Sequence, residues 1–154
     1  MTSPLRVGVR RPPGPEPDIE LWLHVPSRLD LVGEAVDLLT AQTERERHNA
    51  LSARQLRFHF RTALAEALAN AIAYGNRHDR ARLVRVRVEV SRDAVHLHVT
   101  DEGSGFDPAD VPDPTRPDRL QREDGRGLFV LKSLVDQVVF NEKGNSVCLT
   151  LRAG

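Results

Sequence analysis

Two short runs constrain this chain more than anything else in it. "LVRVRVEV" (83–90) puts Val84, Val86, Val88 and Val90 on one side and Arg85, Arg87 and Glu89 on the other. "AVHLHVT" (94–100) alternates again after the turn "SRD". Successive strand side chains point to opposite faces, so each run has one apolar and one polar face. Joined this closely, the two read as a hairpin with one buried face. That face requires a covering layer. His96 and His98 share the polar face. Two such histidines could bind a metal, but no third ligand stands nearby in sequence, and a solvated face is the better reading.

The cover is found upstream. "IELWLHVP" (19–26) reads as a further strand stopped by Pro26, with Ser27 placed to cap the helix after it. Leu29, Leu31, Val32, Val36, Leu38 and Leu39 then recur at helical spacing. That helix fades into the charged "TERERHNA", and a second one begins near Ser52. "SARQLRFHFRTALAEALANAIAYG" has no proline, many alanines and a closing glycine. Residues 107–125 hold four prolines and few apolar side chains and read as a loop. A loop of that length inside a compact domain is usually functional or disordered. "RGLFVLKSLVDQ" starts a third helix, and "VVFNEKGNSVCLTLR" makes a closing hairpin turning at "EKGN".

The order β, α, α, β, β, loop, α, β, β predicts an α+β two-layer sandwich. Its sheet is expected to be mixed but mostly antiparallel, with helices on one face. Residues 1–18 carry five prolines and read as a flexible or extended arm, leaving 19–154 as the domain. At 154 residues one sizeable core is possible. The formal net charge is zero, so nothing points to nucleic acid or an anionic membrane as partner. Cys148 is the only cysteine, which excludes an internal disulfide; in "VCLTL" it reads as a small buried residue rather than a reactive thiol. With no apolar stretch of membrane-spanning length and no signal-peptide core, the expected location is cytoplasmic.

Three places could carry chemistry. On the second helix, Glu66 and Asn70 are four positions apart and stack on one face, roughly opposite Leu64 and Leu68. Ala63, Ala67 and Ala71 beside them would leave room for a ligand. An Asn carbonyl is a hard oxygen donor suited to Mg²⁺, and a carboxylate one turn earlier could accept a proton from a hydroxyl or water. In "DEGSGFDP" (101–108), Asp101 ends a strand and could accept a hydrogen bond from an exocyclic amine such as adenine's. Gly103 and Gly105 would let the backbone turn tightly against a flat ring. In "DGRGLFVL" (124–131), glycines enter a helix N-terminus, where free N–H groups and the helix dipole favour phosphate, with Arg126 as a further contact. Taken singly, each has an ordinary reading: a surface polar pair, a glycine turn, a helix entry. No Walker-type phosphate loop is present.

Their order and placement resemble those of the GHKL ATPase superfamily, which includes gyrase and the sensor histidine kinases. "EALANAIAYGN" resembles its N box, "DEGSGFDP" and "GRGLFVL" its two glycine boxes, and "GNSVCLTL" its closing strand. Within it, the chain is most similar to the small bacterial anti-sigma-factor serine/threonine kinases, sharing every fixed letter of "DxGxGFDP". Ala69 stands where many members have Thr or Val, and the proline-rich start is longer than usual.

The resemblance implies the Bergerat ATP-binding fold, with ATP and Mg²⁺ bound. Asn70 would hold Mg²⁺, Glu66 would orient or deprotonate the attacking group, and Asp101 would recognise adenine. Gly103, Gly105, Phe106, Gly125, Arg126, Gly127 and Leu128 would form the base and phosphate walls, under a lid of residues 107–125. It also implies phosphorylation of an anti-sigma-factor antagonist, capture of a sigma factor, and a homodimer. The alternative is a nucleotide-gated binding module without phosphotransfer; the presence of Glu66 weighs against it. A detached sensor-kinase domain fits less well, because His24 lies in an apparent strand rather than on a phospho-accepting helix.

Overall fold

A computed structural model describes residues 4–46, 50–104 and 123–154. Its single sheet has six strands: β1 (Gly8–Arg10), β2 (Ile19–Pro26), β3 (Leu83–Val90), β4 (Ala94–Thr100), β5 (Gln137–Phe140) and β6 (Ser146–Arg152). They lie in the order β1-β2-β3-β4-β6-β5. All five pairings are antiparallel, so the mixed sheet expected from sequence is wholly antiparallel among the described residues.

The alternating runs pair as a hairpin, with Val86 opposite Val99 and Val88 opposite Leu97. Val84, Val86, Val88 and Val90 are fully buried, and so are Leu21, Val25, Val95, Leu97 and Leu149 from the neighbouring strands. Burying a side chain of this size stabilises by about 1.5–3 kcal/mol relative to leaving it exposed, so the face is strongly determined. The cover is a layer of three helices: α1 (Val32–Glu44), α2 (Arg61–Asn70) and α3 (Glu123–Leu134). A short 3₁₀ turn at Leu29–Leu31 leads into α1, and wider π-type turns at Gln55–Phe60 and Ala71–Gly75 extend α2 at both ends. The middle helix packs against α1 on one side, α3 on the other and β4 beneath. Phe60, Leu64, Leu68 and Ile72 are its fully buried anchors.

The long helical run starts where expected. Ser52 Oγ accepts the Gln55 N–H at 3.1 Å while Gln55 Oε1 accepts the Ser52 N–H at 2.9 Å, a reciprocal capping box. Ser27 does not cap α1. Its hydroxyl is buried and donates instead to the Arg82 carbonyl at 2.7 Å. The start of the chain, expected as an arm, contributes β1, an edge strand paired to Leu21 and Trp22, and Leu5 is buried in the core. Cys148 is not in that core. It is half-buried on the sheet's outer face, where burial raises its thiol pKa and keeps it protonated.

Candidate functional site

Asp101 comes directly after β4. Its backbone is held from the β6 side: the Asp101 N–H donates to the Asn145 carbonyl at 2.9 Å, and Asn145 Nδ2 donates to the Asp101 carbonyl at 3.1 Å. Its carboxylate Oδ1 accepts the Gly103 N–H at 2.8 Å. Among the described residues Oδ2 has no hydrogen-bond donor. Burial raises the pKa of this carboxyl, against the opposing pull of the Gly103 N–H, Lys143 and Arg82. A half-buried carboxylate with one oxygen held and one free suits acceptance of a hydrogen bond from an amine edge.

The end of the long helical run presses on this loop. A Cβ on Gly75 would collide with the Asp101 carboxylate, and a Cβ on Gly103 would collide with the Gly75 carbonyl. Both positions therefore require glycine, through close backbone approach rather than through an unusual φ. The next residue, Asn76, is fully buried and accepts the Glu102 N–H at 2.7 Å. Gly75, Asn76, Glu102 and Asn145 were not among the candidates read from sequence. The signal for the first two was the "GN" that closes the helix, where the glycine also serves as an ordinary stop.

Glu66 and Asn70 lie in α2, which runs into this junction. Both are half-buried, and among the described residues neither side chain takes a hydrogen bond or an ion pair. Leu64 and Leu68 are fully buried, as a face opposite the pair demands. Ala63, Ala67 and Ala71 do not line an opening. They are at most 7% exposed and belong to the core, where their small size lets the helix sit close to its neighbours.

Helix α3 begins at Glu123, earlier than its glycines suggested. Gly125 and Arg126 thus stand in its first turn, whose N–H groups have no partner within the helix, and Gly127 and Leu128 come in the next. The packing of α3 on α2 brings these two elements side by side. The side chains of Arg126 and Leu128, like all of Gly105, Phe106 and most of the expected lid, lie outside the described residues. His96 and His98 point away from this site on the other sheet face, to Thr150 and Glu89 respectively.

The model of the histidine kinase-like ATPase domain family matches residues 25–151. An anti-sigma F factor of Clostridium beijerinckii is 33% identical over 97 residues, 60% of this chain and 66% of that protein. An anti-sigma F factor of Geobacillus thermodenitrificans is 34% identical over 88 residues, 55% of this chain and 60% of that protein. A serine-protein kinase RsbW of Staphylococcus aureus is 28% identical over 96 residues, 57% of this chain and 60% of that protein. The aligned part is thus just under two thirds of each relative's length.

Proposed function

The chain belongs to the histidine kinase-like ATPase domain family, and from that premise we propose that it is an ATP-dependent serine/threonine kinase acting as an anti-sigma regulator. The observation that carries this reading is the junction of Gly75, Asp101 and Gly103. It closes the helical run that presents Glu66 and Asn70 without partners among the described residues. Names given to the relatives, anti-sigma F factor and serine-protein kinase, support the direction.

In this reading Asp101 accepts the exocyclic amine of adenine through its free oxygen. Gly103, with Gly105 and Phe106, forms the wall against the base. Gly125, Arg126, Gly127 and Leu128, at the start of α3, face the phosphates, where unpaired helix N–H groups favour anions. The Asn70 carbonyl and the half-buried helix face around it fit a hard cation, and Asn70 would hold Mg²⁺. Bound MgATP supplies the phosphoryl group together with the charge neutralisation its transfer needs. Glu66 orients a substrate serine or threonine hydroxyl and takes its proton as the γ-phosphoryl passes to that oxygen and ADP departs. The substrate is an anti-sigma-factor antagonist, the captured partner is a sigma factor, and the working form is a cytoplasmic homodimer.

The test is direct. Purified chain is incubated with MgATP and a panel of candidate antagonist proteins, and phosphoserine or phosphothreonine is read by mass spectrometry. Asn70→Ala is expected to abolish the thermal stabilisation that MgATP confers. Glu66→Ala is expected to keep that stabilisation and to lose transfer by at least about a hundredfold, the usual contribution of a general base. Wild-type transfer by Glu66→Ala removes the base assignment. Stabilisation by ATP with no transfer to any antagonist selects the nucleotide-gated binding module instead.

A further inference from the structure

Asn76 lies just past the helical run, outside the residues assigned to base, phosphate or metal, yet it ties three segments around Asp101 together. It is fully buried. Its Nδ2 donates to Ser27 Oγ at 2.9 Å and to the Leu83 carbonyl at 3.1 Å, and its Oδ1 accepts the Glu102 N–H at 2.7 Å. The partners fix the orientation of the amide: the Leu83 carbonyl can only accept and the Glu102 N–H can only donate. One side chain therefore joins the end of β2, the start of β3 and the loop after β4. The chain leaves it through Arg77 and His78, both left-handed at φ 51° and 58°. Two consecutive non-glycine residues hold that conformation only where their surroundings over-determine it.

The consequence reaches Asp101. Its carboxylate is aimed by the Gly103 N–H, and the peptide between them is the one whose Glu102 N–H lies on Asn76. Asn145 Nδ2 holds the carbonyl of that same Asp101–Glu102 peptide, so the peptide is gripped at its oxygen by Asn145 and at its N–H by Asn76. The Glu102 side chain adds a tie to the Leu83 N–H, the same residue whose carbonyl Asn76 holds.

We propose that Asn76 is a positioning residue for purine recognition: by pinning the Glu102 peptide it sets the direction of the free Asp101 oxygen, and so both the affinity of the site for adenine nucleotides and its discrimination against guanine nucleotides. This rests on the reading of Asp101 as the base acceptor. Ser27 gives the control, because it shares the buried network while, among the described residues, its hydroxyl bonds Asn76 and the Arg82 carbonyl and not the Asp101 loop.

The full chain is compared with Asn76→Ala, Asn76→Ser and Ser27→Ala by calorimetric titration with ATP and with GTP, alongside thermal unfolding and amide hydrogen exchange. The Asn76 variants are expected to weaken ATP by about tenfold, the loss of one buried hydrogen bond's worth of aim, while GTP changes less and the ATP-to-GTP ratio narrows. Ser27→Ala is expected to lower the melting temperature while leaving that ratio unchanged. A wild-type ratio in a folded Asn76 variant overturns the proposal, as does an equal change of ratio in Ser27→Ala. If neither Asn76 variant folds, the wild-type chain decides. Glu102 and Gly103 amides protected as well as those of β4 uphold the tether, and amides exchanging like exposed loop overturn it. If the wild-type chain binds neither nucleotide, the base-acceptor reading fails by itself, and loss of Glu102 and Gly103 protection in Asn76→Ser still reports whether Asn76 sets the loop.

Discussion

The carboxyl of Asp101 is held in an environment that suits a ligand better than it suits the protein alone. Burial is the largest influence on it and disfavours the charged form; the Gly103 N–H, Lys143 and Arg82 offset this only in part. Its folded pKa therefore lies above the ordinary value of 3.8. Proton counting gives the sign of the effect on stability. As pH rises from 3.8, the unfolded chain gives up this proton before the folded chain does, so the folded state loses stability through that window and the penalty persists at neutral pH. Asp101→Asn keeps an acceptor for Gly103 and removes the buried charge. It is expected to melt higher than wild type at pH 7 without nucleotide, to show a smaller difference near pH 4, and to gain nothing from MgATP. Thermal shift at both pH values, with and without MgATP, checks all three. A variant that melts lower than wild type at pH 7 contradicts the burial argument, and one still stabilised by MgATP removes Asp101 from base recognition.

Among the elements, the helical run ending at Gly75 carries the candidate residues Glu66 and Asn70, and its exit is where local preference yields to tertiary contact. An alanine in place of a helical glycine ordinarily stabilises by roughly 1 kcal/mol. At Gly75 the added methyl meets the Asp101 carboxylate, so Gly75→Ala is expected to cost about 1–3 kcal/mol of stability, as overpacking does. It should also abolish stabilisation by MgATP. Urea denaturation with and without nucleotide reads both effects, and a net gain in stability would show that the loop yields easily. Such contacts mark the boundary of what sequence makes legible. The strands were legible because Val84 to Val90 and Val95 to Val99 alternate without a break, and the helix because a proline-free, alanine-rich run opens near Ser52; the cap that Ser52 makes with Gln55 came only with the structure. Glu66, Asn70, Asp101 and Gly103 became candidates through spacing and motif. Asn76 was not, because a polar residue after a helix looks like loop; its partners Ser27 and Glu102 are 49 and 26 positions away. Strand β1 was hidden for a related reason. Three residues among prolines carry almost no periodicity, and only the edge of β2 gives them a place.

At the scale of the whole molecule, the described helices cover one side of the sheet, and among the described residues its other face settles its polar side chains among themselves. Arg87 lies over the Trp22 ring at 5.6 Å and pairs with Glu89 at 3.4 Å. Glu89 also meets His98, while His96 meets the Thr150 hydroxyl at 3.0 Å. These exposed and half-exposed ion pairs contribute little each. Their titration is still readable, because His98 sits in the middle of them. Burial, the dominant influence, lowers its pKa below the ordinary 6.5; Arg87 and His96 push the same way, and Glu89 opposes them. Cys148 Sγ, 3.9 Å from Nε2, stays protonated and adds no charge. As pH falls below 6.5, the unfolded chain protonates this imidazole first, so stability present in full above 6.5 declines toward the lower folded pKa. This runs opposite to the effect of Asp101, whose window begins at 3.8, and the two are separable by variant. His98→Gln retains a donor for Glu89 without a titrating ring. The urea midpoint of wild type is expected to drop between pH 7.5 and pH 5 by more than that of His98→Gln, with the two proteins closest at pH 7.5. Equal drops would mean that another group on the chain titrates in this range, and that the outer face of the sheet tolerates a charged imidazole as readily as water does.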